Sequence, residues 1–191
     1  MLTTAQNTRL YSRMEGVVVQ ESFEELVALH RPRIFRFALA SLRDRDAAET
    51  VTQDCFLRAH RAWPGFRGDA SVKNWLMKIA VNLVRDRARG RQFQFWKRAE
   101  SSAILLDAAG QFIPDTASSP EAALSARQQM EAVWKVVDRL SSAQRRVFLL
   151  HFMEDMDSSE IEEVTGMSSG VIRVQLHRAI QAVRHELRGL K

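Results

Sequence analysis

Apolar residues recur every three or four positions along nearly the whole chain, and no stretch alternates convincingly with the period of two that a strand requires. Phe23, Leu26 and Val27, followed by Ile34, Phe35, Ala38 and Leu42, predict two amphipathic segments bent or broken at Pro32. Asp46 is placed to cap a helix reaching about Ala62, with Ala48, Val51, Cys55, Phe56 and Ala59 facing inward. The Pro and Gly content of Pro64–Ser71 predicts a loop, and Ser71 can cap a helix from Val72 to about Arg89. Between Glu100 and Ser118 the periodicity fades and small polar residues read as a flexible linker. A new helix opens at Ser119-Pro120-Glu121, with a cap, a proline at the first position and an acid in the first turn. It carries Leu124, Val133, Val137 and Leu140. Ser141-x-x-Gln144 then fits a capping box ahead of a helix holding Val147, Leu150 and Phe152.

The last third of the chain reads as two helices joined by a tight turn. Ile161 and Val164 give the first an apolar side, Gly166 marks the turn and Met167 fills it. Ile172, Leu176, Ile180, Val183 and Leu187 line the second. The predicted fold class is all-α, with two small helical domains joined by a flexible linker. Residues 1–20 form an N-terminal extension, 21–98 the first domain, 99–118 the linker and 119–191 the second domain, which ends in a helix-turn-helix.

Charge adds a functional direction. A formal net charge of +5 favours a polyanionic partner, and its distribution says more than its total. Residues 83–98 hold Arg85, Arg87, Arg89, Arg91, Lys97 and Arg98 against Asp86 alone, and residues 170–191 are again basic. In the last helix Arg173, His177, Arg184 and Arg188 run at spacings of 4, 7 and 4 beside the apolar stripe. A helix docked on one side and cationic on the other is what reading a major groove requires. In the helix after Ser71, residues Asn74, Lys78, Asn82, Arg85 and Arg89 are spaced 4, 4, 3 and 4, with Leu76, Ile79, Ala80 and Leu83 roughly opposite. Amides interleaved with cations can combine base-edge hydrogen bonds with phosphate contacts. Phe66, in the preceding loop, is placed to stack on an unpaired base, while Trp63 and Trp75 read as core.

Other chemistries find little support. Cys55 is the only cysteine, so there is no intramolecular disulfide and no thiolate-rich zinc site, and it reads as a small buried residue. Residues 1–20 lack the apolar core of a signal peptide, and no run approaches the roughly 20 apolar residues of a membrane span. A cytoplasmic protein is expected. The acidic cluster Asp155–Glu163 breaks the calcium-loop pattern and reads as a solvated helix face. No catalytic constellation and no phosphate-cradling Gly-rich loop emerge, so no enzyme activity, metal, cofactor or metabolite substrate is expected. The residues alone leave room for a free-standing helix-turn-helix regulator, or for a metal-dependent nucleic-acid enzyme built on the acidic cluster.

Four motifs in order narrow this further: Phe23…Asp46-Ala-Ala-Glu-Thr-Val-Thr-Gln53-Asp-Cys-Phe56, Trp75-Leu-Met-Lys-Ile-Ala-Val-Asn82, Arg139-Leu-x4-Arg145-x-Val-Phe-Leu-Leu150, and Gly170-Val-Ile-Arg-Val-Gln-Leu-His-Arg-Ala179. Together they resemble the two-domain bacterial sigma factors of the extracytoplasmic function (ECF) group. The resemblance implies a subunit that binds core RNA polymerase at the clamp of the largest subunit and at the flap region. It also implies a first domain reading the promoter's −10 element and a second reading the −35 element. Glu49, Thr50, Gln53 and Phe56 fall at the polymerase-binding positions. Phe66 and Asn82 match positions tied to −10 recognition, with Asn74 on the same face and Lys78, Arg85 and Arg89 as phosphate contacts. Arg173, Val174, His177 and Arg178 match the −35-reading positions.

Some residues depart from the family pattern. Thr50 stands where Asp is usual, Val174 where Ser is common and Gln175 where Arg is common. Glu162 and Thr165 replace the usual Ala and Leu in the first helix of the helix-turn-helix. The resemblance further implies an anti-sigma protein, often membrane-tethered, that covers the helix around Gln53 until an envelope or stress signal releases the factor.

Overall fold

The computed structural model describes residues 10–14, 17–66, 68, 71–90 and 120–189. The predicted linker at 99–118 lies outside them. The extension holds one element that periodicity did not predict, an antiparallel hairpin of β1 (Leu10–Met14) and β2 (Val17–Glu21), registered from Leu10 against Glu21 to Met14 against Val17. Its second strand begins with three consecutive valines, a β-branched run that favours extended backbone without any alternation to betray it.

Among the described residues three helices build the first domain. Helix α1 spans Phe23–Leu42 and starts at a capping box, in which Ser22 Oγ accepts from Glu25 N and the Glu25 carboxylate accepts from Ser22 N. It runs unbroken through Pro32, so of the expected bend or break the break does not occur. An interior proline costs about 3 kcal/mol. Leu26 on one side of it and Ile34, Phe37 and Leu42 on the other are each about 1% exposed or less in one core, and each contributes about 1.5–3 kcal/mol of burial. Packing therefore outweighs the local defect. Helix α2, Arg45–Ala62, is capped by Asp44 rather than Asp46: Ala47 N donates to Asp44 Oδ1 at 2.8 Å, and Asp46 sits inside the first turn. Ala48, Val51, Cys55, Phe56 and Ala59 are all buried, as the pattern required. Burial drives the Cys55 thiol up to about 12 against the weaker pull of Arg58, so it stays protonated and inert. A single 3-10 turn, Trp63–Gly65, leads toward α3, Val72–Arg89, capped by Ser71 Oγ.

The second domain comprises α4 (Pro120–Arg139), α5 (Ser142–Phe152), α6 (Ser158–Thr165) and α7 (Ser169–Arg188). The Ser141–Gln144 capping box forms with both hydrogen bonds in place. Val133 is half-buried and Val137 and Leu140 are buried, whereas Leu124 and Phe152, apolar residues of α4 and α5, are more than half exposed. Arg145 replaces a C-cap for α4. Its buried guanidinium donates to the carbonyls of Val137, Asp138 and Leu140. Those are the acceptors a helix end leaves without partners.

The two domains are docked on one another through α1 against α5 and α3 against α6, and one buried apolar cluster runs continuously from Leu26 to Ala179. Ion pairs border the contact: Arg33 Nε lies 2.9 Å from Glu154 Oε2 and Arg43 Nε 2.9 Å from Asp138 Oδ1.

Candidate nucleic-acid and protein interfaces

The helix-turn-helix is built by local chemistry. Asp157 Oδ1 accepts from Ser159 N and Glu160 N, and the Glu160 carboxylate accepts in turn from Asp157 N. Gly166 closes α6 in the left-handed region at φ 69°, its N–H donating to Glu162 O. Nothing lies within 4 Å of where a Cβ would stand at Gly166, so the demand is conformational rather than steric. Gly166→Val should destabilise the domain by about 1–3 kcal/mol, read from urea unfolding midpoints. An unchanged midpoint would show that the turn tolerates another geometry.

The two unusual residues of α6 secure this turn. Thr165 Oγ1 donates to Ile161 O and accepts from Met167 N, and Glu162 accepts a bond from the Ser169 hydroxyl at the start of α7. Glu162 thus ties α6 to the start of α7, while Thr165 ties the end of α6 to the turn. Ile172 and Ala179 anchor α7 in the core; Leu176, Ile180, Val183 and Leu187 are half-buried beside them. On the opposite side Arg173, Val174, His177 and Arg178 are exposed, as are Arg184 and Arg188. Val174 is 46% exposed, and Arg173 and Arg178 stand out from the surface beside it. The face is an open cationic strip around an apolar patch.

The α3 face has a different fate at its two ends. Lys78 and Arg89 are exposed, and Asn82 and Arg85 half-exposed. Asn74 is only 6% exposed, because α6 of the other domain lies over it and its Nδ2 donates to Glu160 Oε1 at 3.1 Å. The expectation that all five residues share one open face therefore fails at Asn74. No feature of α3 itself reveals a covering from more than eighty residues away. Phe66 does not project freely either. It stacks parallel to Trp63 with centroids 6.0 Å apart and meets Trp75 at 4.7 Å. Trp63 is buried, as expected of core, while Trp75 remains half-exposed at the edge of the cluster.

The acidic cluster is not wholly a solvated face. Glu160 holds Asn74, and Glu154, the residue just before the cluster, is 1% exposed between the domains. Burial raises the Glu154 carboxyl to about 7, against the opposing pull of Arg33 and Arg36 on α1 and Lys73 on α3.

A third surface lies between α1 and α2. Phe23, Val27, Arg31, Thr52, Gln53, Phe56, Leu57 and His60 line a shallow, mostly apolar groove of about 500 Å³. Gln53 is exposed on its rim and Phe56 forms its buried floor. Glu49 pairs with Arg31 at 3.0 Å, and Thr50 Oγ1 donates back to Asp46 O at 2.8 Å. Leu57, 56% exposed, escaped sequence reasoning because it lies off the inward stripe of α2. An apolar residue on the outer flank of a helix was the available signal.

Two docked helical domains, the second ending in a helix-turn-helix, define a protein of the helix-turn-helix class. The family model for Sigma-70 region 2 matches residues 26–94 and that for Sigma-70, region 4 matches 130–183. The chain is 26% identical over 172 residues to the ECF RNA polymerase sigma factor SigW of Bacillus subtilis, covering 90% of this chain and 91% of that one. It is 29% identical to the RNA polymerase sigma-H factor of Pseudomonas aeruginosa, covering 100% and 98%. Among solved structures, the sigma factor RpoE in complex with the anti-sigma factor NepR from Bartonella quintana shares the fold, with a TM-score of 0.64, 24% identity and coverage of 87% and 96%. So does CnrH in complex with the cytosolic domain of CnrY, with a TM-score of 0.59, 22% identity and coverage of 87% and 88%. The chain belongs to the sigma-70 family of RNA polymerase sigma factors, in its ECF group. Among the described residues no helix is long and apolar enough to cross a membrane.

Proposed function

We propose that this chain binds core RNA polymerase through the α1–α2 groove, with Glu49, Thr50, Gln53 and Phe56 at or beside the contact, and directs it to promoters in the cytoplasm. The α3 face, with Phe66, Asn74, Lys78, Asn82, Arg85 and Arg89, serves the −10 element. The α7 face, with Arg173, Val174, His177 and Arg178, serves the −35 element. The observation that carries this reading is the sorting of three residue sets onto three surfaces. An adaptor between an enzyme and two DNA elements needs that arrangement. Because Asn74 is held by Glu160, reading of the −10 element through it requires the domains to part when polymerase binds. An exposed apolar groove also suits an anti-sigma partner competing with polymerase for the surface around Gln53. The solved relatives in complex with anti-sigma proteins support such regulation.

Run-off transcription with core polymerase over a random promoter library tests the proposal directly. Specific initiation is expected, and failure to bind core polymerase would sink it. Tight operator binding by the isolated protein as a dimer would instead favour a free-standing regulator. Arg173→Ala should cost about 1–3 kcal/mol at one promoter position if the guanidinium reads a base edge. An equal loss on all sequences would assign that side chain to phosphate.

A further inference from the structure

Where the domains meet, a small cleft remains whose lining, apart from Arg85 at the edge of the α3 face, none of the roles above uses. It encloses about 40 Å³ and is lined by Ser41 of α1, Arg85 of α3, and Ser142, Arg145 and Arg146 of α5, with apolar residues between them. Among the described residues no acidic side chain lines it. Two donors in the lining are buried without a hydrogen-bond partner, Ser41 Oγ and Arg85 Nε; the ion pair of Arg85 is a loose one, to its chain neighbour Asp86 at 3.8 Å. Arg145 is already committed to the carbonyls of α4, so it contributes charge rather than free donors. Arg146 has its pKa lowered, first by burial and then by the nearby Arg85 and Arg89. Bringing like charges and orphaned donors together is unfavourable unless something neutralises them.

We propose that this cleft binds a single phosphate group, carried by inorganic phosphate or by a small phosphate monoester, which bridges the two domains. The donors present, two guanidinium groups and the hydroxyls, match a ligand that only accepts hydrogen bonds. Guanidinium groups suit phosphate geometry in particular. The volume admits one tetrahedral oxyanion and excludes a base or sugar, so an attached group would have to extend into solvent. Because Arg85 comes from one domain and Arg146 from the other, the bound anion relieves their repulsion and favours the docked arrangement.

Calorimetric titration of the full chain with inorganic phosphate, and separately with glycerol phosphate, tests this at ionic strength matched with sodium chloride. Saturable binding of phosphate is expected, with a rise in melting midpoint that chloride does not reproduce. Binding of the monoester as well would identify an organic phosphate as a ligand source, and binding of inorganic phosphate alone would identify the free ion. Arg146→Gln should weaken binding about tenfold, equivalent to about 1.4 kcal/mol, and Ser41→Ala should weaken it measurably with little effect on folding. Absence of saturable binding, an equal effect of chloride, or wild-type affinity in both variants would overturn the proposal.

Discussion

Replacing Leu57 by Asp is expected to weaken binding to core RNA polymerase by about 3 kcal/mol, roughly two orders of magnitude in affinity, while leaving the fold intact. Leu57 stands on the wall of the α1–α2 groove, whose floor is Phe56 and whose opposite side is formed by Phe23 and Val27. Its side chain is more than half exposed, so the free protein loses little packing when it is changed. Once a partner closes the groove, a carboxylate at that position is desolvated among apolar lining residues, and Arg31 on the groove is already engaged by Glu49. Interface energy concentrates in buried apolar anchors near the centre of such a patch. Fluorescence titration against core polymerase gives the affinity, and far-ultraviolet circular dichroism checks the fold. Undiminished binding would place the polymerase contact elsewhere, and Gln53→Ala would then be equally silent.

The second large effect concerns the contact between domains. Docking is expected to weaken as pH rises from about 4.5 to about 7, by an amount on the order of 3 kcal/mol attributable to Glu154. In the docked protein burial holds this carboxyl near 7, whereas once the domains part it returns toward the ordinary value of 4.5. Between those limits the docked form binds the additional proton. The stabilisation is therefore fully present below the lower value and lost as pH passes through the upper one. Arg33, 2.9 Å away, together with Arg36 and Lys73, softens the penalty without abolishing it. Energy transfer between labels on the two domains, followed across this pH range, measures the equilibrium. Glu154→Gln keeps a polar partner for Arg33 and removes the ionisation, so its curve should be flat through the same window. A wild-type slope that survives in the variant would assign the titration to another group. Arg33→Ala should loosen docking at neutral pH, because it leaves the buried carboxylate with fewer cations.

Much of the architecture was legible because it depends on near neighbours in the chain. The Ser71 cap, the Ser141–Gln144 box and the left-handed Gly166 each act over a few residues, and each formed as read. The cationic strip of α7 was equally legible, since helical spacing alone places Arg173 and His177 on one side. Misreadings arose where distant packing competed with local rules. Pro32 did not break α1, because residues on both sides of it enter the same core. Leu124 and Phe152 fit an apolar stripe yet face outward, because the stripe is wider than the surface their helices bury. Asp44 displaced Asp46 as the cap by a shift of two residues, a choice set by where α1 ends and the chain turns.

Periodicity, capping and charge determined most helices of the described residues, the turn between α6 and α7, and the two basic faces, all through interactions spanning at most a few turns. Which polar residues would be hidden was decided only when the domains came together. Asn74 and Glu160 are separated by 86 positions, and Arg33 and Glu154 meet across a contact with no trace in the spacing of either helix. Helical periodicity shows how residues share one cylinder, but not which second cylinder will cover them. The same docking that conceals Asn74 also gathers Arg85 and Arg146 around an empty-handed pair of donors, a juxtaposition that exists only in three dimensions.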